Sequence, residues 1–477
     1  MAVDKELSFK IDKYLEENRA AVVEDLKRLV RIPSILAPAE EGAPFGKACL
    51  DALKAASDMF AAAGCKSGVY GDGSYGLAEF GEGKTTIGVF GHSDVVPVSE
   101  GWITTAPFDP IEKDGVLYGR GIEDNKAGVI AGLYLVKMIS ALNIPVKSKI
   151  SCFIGAAEET GMQDIDRYVE EQKMPDVSLV PDGNFPVCYG EKGMCRFWAV
   201  SAKKLEKIKG FKGGSAFNVV LDDVTVSFDC DDDLYSEIED KIKGEKDYTL
   251  KKDGNGFSLR VKGLSQHASQ PEGSMNAAWM AAKLLKDLKG IGENDREVLK
   301  TAEYLLDGYY GEHFNIAHTD SVFGKLTCTN GMVDITDGML RYSYDIRCGT
   351  ENDIDKMLEN IKGTLEKFDC KFILHECEKG FLLPRGESRF LPVIEGVYRE
   401  VSGISDAEGF VMSGGTYCRR LKNAFSIGTC APYKNSKPEM PAGHGGAHQS
   451  DESITVDGLL EAIKLLTLMV VELDKTL

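Results

Sequence analysis

Lys149–Gly161 reads KISCFIGAAEETG. It is an apolar run of strand length that stops on two adjacent glutamates, Glu158 and Glu159. A short run of this kind, closed by glycine and small residues, reads as a buried strand. Working outward, Thr85–Phe90 (TTIGVF) is a second such run, and it ends at Gly91-His92. Val177–Val180 is a third, ending at Pro181-Asp182-Gly183. Helical patterns lie between them, from Lys126 to Leu142 after Asp124, and from Asp164 to Gln172. Strands alternating with helices predict an α/β unit: a mixed, mostly parallel sheet with helices on both faces. Ligands bind beyond the carboxyl ends of such strands. His92, Glu158, Glu159 and Asp182 all stand just past strand ends, so the topology sends them to one edge.

The rest of the chain frames this unit. Residues 4–31 have helical periodicity, closed by Arg31-Ile32-Pro33-Ser34. From about residue 190 to 385 the pattern changes. Strand-like pieces (RFWAVSA, FNVVLDD, FSLRVKG, LRYSYDIRC, KFILHE) mix with helical ones (MNAAWMAAKLLKDL, ENDIDKMLENIKGTLEKF). The chain then returns to a strand (AFSIGT), a loop, and an amphipathic helix from about Asp451 to Leu473. The expected organisation is a catalytic domain in two parts, 1–187 and 386–477, interrupted by an inserted α+β domain at 188–385.

Composition narrows the function. The 477 residues are 43% hydrophobic and 27% charged, enough apolar material for a large core. A net charge of −19 repels phosphate backbones and gives no pull toward an anionic membrane. No nucleic-acid or membrane partner is expected. The first twenty residues, MAVDKELSFKIDKYLEENRA, lack the apolar core of a signal peptide. No stretch reaches the roughly 18 apolar residues that span a bilayer. A cytoplasmic location is therefore expected. The 12 cysteines contain no CxxC pair and are expected to be thiols in a reducing compartment.

Five short segments carry candidate chemistry, and each has a plainer reading. In Gly91-His92-Ser93-Asp94, His92 is either a metal ligand steadied by Asp94 or a buried histidine beside a structural aspartate. Asp124, after the glycine-rich GRGIE, is either a ligand or a helix N-cap. Glu158 and Glu159 are either a ligand with a neighbouring general base or a solvated loop pair. Asp182 is a ligand or a turn residue, and His448, in HQSDE, a ligand or a loop histidine. The ordered set says more than any member. Two histidines and three carboxylates suit two divalent ions, with one carboxylate between them.

That order resembles the dinuclear-zinc exopeptidase family of aminoacylases, glutamate carboxypeptidases and carnosinases, and within it the bacterial V-type (PepV-like) dipeptidases. The likeness runs over nearly the whole chain, through GHSDVVP, GRGIEDNKAG, GAAEETG, PDGNFPV, GLSQHASQPEGSMNA, DIRC, GGTY and HQSDE. It implies that His92 and Asp182 hold one metal, Glu159 and His448 the other, and that Asp124 bridges them. Glu158 resembles the general base and Asp94 the residue that steadies His92. The inserted region resembles the family's lid domain. There, His267 matches the histidine that stabilises the oxyanion, and Asn218 and Arg347 match substrate-holding positions, with Arg347 either a carboxylate clamp or a plain strand ion pair. Gly414, Gly415 and Thr416 resemble a loop lining the substrate pocket. In this family the peptide bond after the bridging aspartate, here Asp124-Asn125, is often cis. Two departures stand out. Asn125 follows the aspartate where relatives carry an acidic residue or glycine, and His444 is a second histidine near His448.

The resemblance implies a cytoplasmic metallopeptidase that cleaves dipeptides or very short peptides with a free amino terminus, by a two-metal bridging-water mechanism. The cofactors are two divalent ions, zinc first, with manganese or cobalt as alternatives. A long lid takes the place of a dimer partner in such relatives, so a monomer is expected. Two other readings compete: an N-acyl amino acid deacylase of the same family, and a catalytically silent peptide-binding protein.

Overall fold

The computed structural model describes residues 3–254 and 256–477. The chain divides into two compact units. One comprises Met1–Gly190, Leu383–Phe410 and Gly415–Leu477, the other Glu191–Leu382 with Val411–Gly414.

The first unit is built on a mixed sheet. Its spatial order is Lys66–Tyr70, Tyr75–Phe80, Lys149–Gly155, Thr86–His92, Val177–Gly183, Ala424–Gly428 and Cys188–Glu191. The four strands from Lys149–Gly155 to Ala424–Gly428 run parallel, and antiparallel strands flank them on both sides. Alternation along the strands buries both faces. Val89 and Cys152 meet Gly132 of the helix Lys126–Ala141 on one side. Phe90 and Phe153 pack edge-on against Tyr168 of the helix Gln163–Glu171 on the other, at 5.4 and 5.2 Å. The helix Lys126–Ala141 is apolar on all sides because it lies between the sheet and the terminal helix Val456–Asp474.

Local chemistry moves several boundaries from those expected. The run 4–31 is two helices, Lys5–Glu17 and Arg19–Val30. Asp4 caps the first by accepting the N–H groups of Glu6 and Leu7. Asn18 ends it by donating its amide to the carbonyl of Tyr14. The last helix starts at Val456 rather than near Asp451, because Thr455 caps it and Ser453–Thr455 forms a strand against Val116–Tyr118. No helix among the described residues is long and apolar enough to cross a membrane.

The second unit carries an antiparallel sheet in the order Tyr248–Asp253, Gly256–Lys262, Asp223–Asp229, Ile208–Gly213, Val333–Thr336, Met339–Cys348, Gly193–Lys204 and Cys370–Glu378. Four helices, Asp232–Lys241, Ala277–Leu285, Glu293–Leu306 and Ile354–Lys367, belong to the same unit. FNVVLDD, expected as a strand, is largely loop up to Asp222. The N–H groups of Val220 and Leu221 go to the carbonyls of Gln266 and Asn330 instead of a ladder.

The expectation of twelve thiols fails at one pair: Cys195 and Cys377 are joined as a disulfide. They lie directly opposite on adjacent antiparallel strands, with a register shift between Leu374 and Glu376 that brings Cys377 into line. A separation of 182 residues hides this pairing from the sequence.

Candidate metal centre

Three parallel strand ends deliver the first groups. His92 is the last residue of Thr86–His92 and is fully buried. Glu158 and Glu159 follow the neighbouring strand in a single helical turn, Glu158–Thr160. Asp182 lies in Val177–Gly183, where the pairing with Ala424–Gly428 skips from Pro181 to Gly183. That bulge makes Asp182 the unpaired residue and re-aims its side chain. Asp124 comes from the turn before the helix Lys126–Ala141, and His448 from the loop before the last helix. The peptide bond Asp124-Asn125 is cis.

The side chains meet around Asp124. Its Oδ1 lies 3.1 Å from His92 Nε2 and its Oδ2 3.0 Å from His448 Nε2. Glu159 Oε1 stands 3.0 Å from His448 Nε2, and Asp182 Oδ1 stands 3.7 Å from His92 Nε2. Asp124 is therefore not the cap of the following helix; the cap position belongs to Asn125. Ligand atoms of His92, Glu158 and Asp182 come within 4.8 Å of one another, as do those of His92, Asp124 and Glu159.

The electrostatics are unbalanced. Burial, then the charge of Asp182, pushes the Glu158 carboxyl well above its usual range. Burial and Asp124 push Glu159 up to about 7, and burial pushes Asp182 up to about 6. Desolvation opposes ionisation of the half-buried Asp124 as well, but hydrogen bonds with His448 and His92 hold it below the ordinary range. The same bonds with Asp124 and Glu159 raise His448 to about 10. Glu158 Oε1 is buried with no hydrogen-bond partner among the described residues. Four carboxyl groups crowded out of water, one with an orphaned oxygen, form a donor set that fits divalent cations. Two imidazole nitrogens beside hard oxygens suit zinc or manganese.

A surrounding layer fixes these groups. His92 Nδ1 donates to the main-chain carbonyl of Asp94 at 3.1 Å, and the Asp94 carboxylate lies 3.3 Å away. Nδ1 as donor leaves Nε2 with a free lone pair in the neutral ring. The other Asp94 oxygen accepts the Glu159 N–H at 3.1 Å, so Asp94 touches both halves of the cluster. Asn125 accepts the His92 N–H and donates to Asp182 Oδ1 at 2.9 Å and to the carbonyl of Pro181. Asp164 accepts the N–H groups of Ala156 and Ala157, just ahead of Glu158, and the Tyr417 hydroxyl. A side chain at Gly155 would collide with that pair, so this strand end needs glycine. Asn125, Asp164 and Tyr417 escaped the sequence reading as positioning groups. For Asn125, its departure from the family pattern was the available signal. His444 is engaged elsewhere, with Asp451 at 2.6 Å.

The second unit gathers Asn218, His267 and Arg347. The Asn218 carbonyl accepts the Ala268 N–H at 2.9 Å. His267 is exposed, and its Nδ1 accepts the Ser269 N–H at 3.2 Å. A backbone N–H can only donate, so the proton of the neutral ring sits on Nε2. Partial desolvation of the ring and the nearby charge of Arg347 lower the pKa of His267. Arg347 is buried and forms a fork with Asp345 through Nε (2.6 Å) and Nη2 (3.1 Å). Its Nη1 donates to the carbonyl of Ser413, beside Gly414. Gly414 and Gly415 are exposed, whereas Thr416 is buried and caps the turn Tyr417–Arg420.

Comparison with known proteins matches residues 88–472 to the peptidase family M20/M25/M40. A Bacillus subtilis protein named "Putative dipeptidase YtjP" is 26% identical over 471 residues, covering 95% of this chain and 97% of that protein. A "Putative dipeptidase" of Staphylococcus epidermidis is also 26% identical, over 477 residues, with 95% and 97% covered. Among solved structures, human carnosine dipeptidase 1 superposes with a TM-score of 0.61 at 16% identity, covering 98% of this chain and 99% of the other. The dipeptidase Dug1p of Saccharomyces cerevisiae gives 0.59 at 12% identity, covering 100% and 99%. These two structural likenesses speak for the fold.

Proposed function

The chain belongs to the peptidase family M20/M25/M40, and from that premise we propose that it is a metal-dependent dipeptidase acting on dipeptides or very short peptides with a free amino terminus. The observation that carries this reading is Asp124. Its two oxygens face two different histidines, with Asp182 on the His92 side and Glu159 on the His448 side. His92 and Asp182 would hold one ion, Glu159 and His448 the second, and Asp124 both. Bound divalent ions supply Lewis acidity, which acidifies water and polarises a peptide carbonyl. Zinc is the first choice, with manganese or cobalt as substitutes.

The remaining work falls to the protein. Glu158 is the general base. It takes a proton from the attacking water and returns it to the leaving amine. Its Oε1, buried with no hydrogen-bond partner among the described residues, is left available for that task. Asp94 steadies His92. His267 carries its proton on Nε2 and is assigned to the oxyanion. Asn218 and the loop Gly414, Gly415 and Thr416 line the substrate.

Arg347 is assigned to the substrate carboxylate. Asp345 and Ser413 engage three of its five N–H groups, and Asp345 fixes the plane of the fork. We expect Arg347→Met to lower kcat/KM for a dipeptide about 10–100-fold, the worth of a charge-assisted bond, mainly through KM. An equal loss on a substrate amidated at its carboxyl end would refute the clamp.

The functional reading is tested with a panel of small dipeptides, free and N-acetylated, after zinc or manganese loading. Cleavage of the free dipeptides alone supports the dipeptidase. Preference for acetylated substrates transfers the protein to the deacylases. No turnover with either metal leaves a peptide-binding protein. A single species at 52.0 kDa in solution is expected.

A further inference from the structure

Glu452 lies four residues beyond His448 and is completely buried. Its carboxylate accepts four hydrogen bonds. Oε2 takes Arg120 Nη1 at 2.7 Å and the Gly121 N–H at 3.0 Å. Oε1 takes the N–H groups of Glu123 at 3.0 Å and Asp124 at 3.1 Å. The main-chain carbonyl of Glu452 accepts a further N–H, from Gly119 at 3.0 Å. The turn 119–124 is thus wrapped around one residue of the His448 loop. Arg120 closes the circuit in the other direction: its Nη2 donates to the carbonyl of His448 at 3.2 Å. The guanidinium is itself buried, with Trp102 packed at 5.6 Å.

These bonds bear on a loop with strained backbone. His448 and Asp451 have φ of 64° and 54°, a left-handed conformation that is unfavourable without glycine. Stability alone is a poor explanation for such a pair, since apolar side chains of similar volume often serve as well in a core. A carboxylate that counts out the N–H groups of a turn, joined to an arginine that reaches the partner loop, specifies position. It sets where the Asp124 carboxylate stands relative to the His448 ring. The His92 side has a separate support in Asn125, while Asp94 serves both sides.

We propose that Arg120 and Glu452 are a positioning pair for one half of the metal centre. They bring Asp124 and His448 to ligating distance and so set the affinity of the ion on the His448–Glu159 side. The ion on the His92–Asp182 side depends on them much less. This rests on the two-ion reading above.

The test is stepwise metal binding by full-length protein stripped with a chelator. Zinc is titrated by calorimetry and cobalt by its visible absorption. Wild type, E452Q, R120M and the double variant are compared. The expected result is a first ion bound within a few-fold of wild type and a second bound about 10–100-fold more weakly, the usual effect of removing a group that orients ligands. Because the two residues act as one unit, the double variant should be no weaker than the poorer single. R120K is read in parallel in case a variant that leaves a buried charge unpaired does not fold. It keeps a cation beside Glu452 but loses the arm to His448, and the second ion alone should weaken. Unchanged affinities in the variants, or equal weakening of both ions, overturn the proposal while leaving two ions in the wild type. A wild type that binds fewer than two ions overturns the two-ion reading, and this proposal with it.

Discussion

Replacing Glu158 by glutamine should lower kcat for a good dipeptide by about 10²–10⁴-fold, the range over which a positioned acid–base group contributes. The swap keeps the shape of the side chain and removes its capacity to take and return a proton. The surroundings of Glu158 give the test its resolution. Oε1 is buried without a partner among the described residues, and a ligand atom of the carboxyl lies within 4.8 Å of ligand atoms of His92 and Asp182. Position alone would therefore also allow Glu158 to be a ligand. Counting bound ions separates the two roles. A base lost with both ions retained leaves metal affinity intact and turnover collapsed. Loss of an ion together with turnover would make Glu158 a ligand and move the base elsewhere. Unchanged kcat would refute the assignment.

The second large effect is expected on removing the ions. Activity should vanish in the chelator-treated protein and return on adding zinc or manganese. Stability should change as well. An ion that binds only the folded chain stabilises it by about 2.7 kcal/mol per site at a concentration 100 times its Kd. The pH dependence follows from the acids. Without metal, Glu159 is raised to about 7, Asp182 to about 6 and His448 to about 10. Each group holds its proton more tightly in the folded chain than in the unfolded one. The metal-free protein is therefore helped at low pH, and that help is lost as pH rises through the folded values. Metal binding displaces those same protons and tightens with pH. The gap in melting temperature between loaded and stripped protein should widen from pH 6 to pH 8, as calorimetric scans at fixed ionic strength would record. A gap that narrows over this interval would count against protons and ions sharing the cluster.

Much of the catalytic unit is legible in one dimension. KISCFIG, TTIGVF and VSLV are strands because short apolar runs bounded by glycine or proline pack on both faces of a sheet. The parallel topology then sends whatever follows them to one edge. His92, Glu158, Glu159 and Asp182 could be grouped on that argument alone. The second unit was less legible. FNVVLDD has the composition of a strand, but its N–H groups find partners in two other loops. Propensity cannot see such partners. Cys195 and Cys377 have the same difficulty, since their meeting depends on strand order and on one register shift.

Residue types and their order along the chain determined by themselves that this protein is an α/β chain with an inserted α+β region, and they singled out two histidines and a group of acids as its candidate site. Periodicity and strand-end topology are local properties, so they survive in the sequence. The tertiary structure alone decided the distances: it chose between the two readings of Asp124 by placing it at the centre of the cluster, re-aimed Asp182 by a bulge, and brought Asn125, Asp164, Arg120 and Glu452 against the backbone around it. One such contact, between Arg120 and Glu452, spans a gap of 332 residues. A carboxylate buried in a core binds whichever N–H groups the fold presents to it, and only the folded chain presents them.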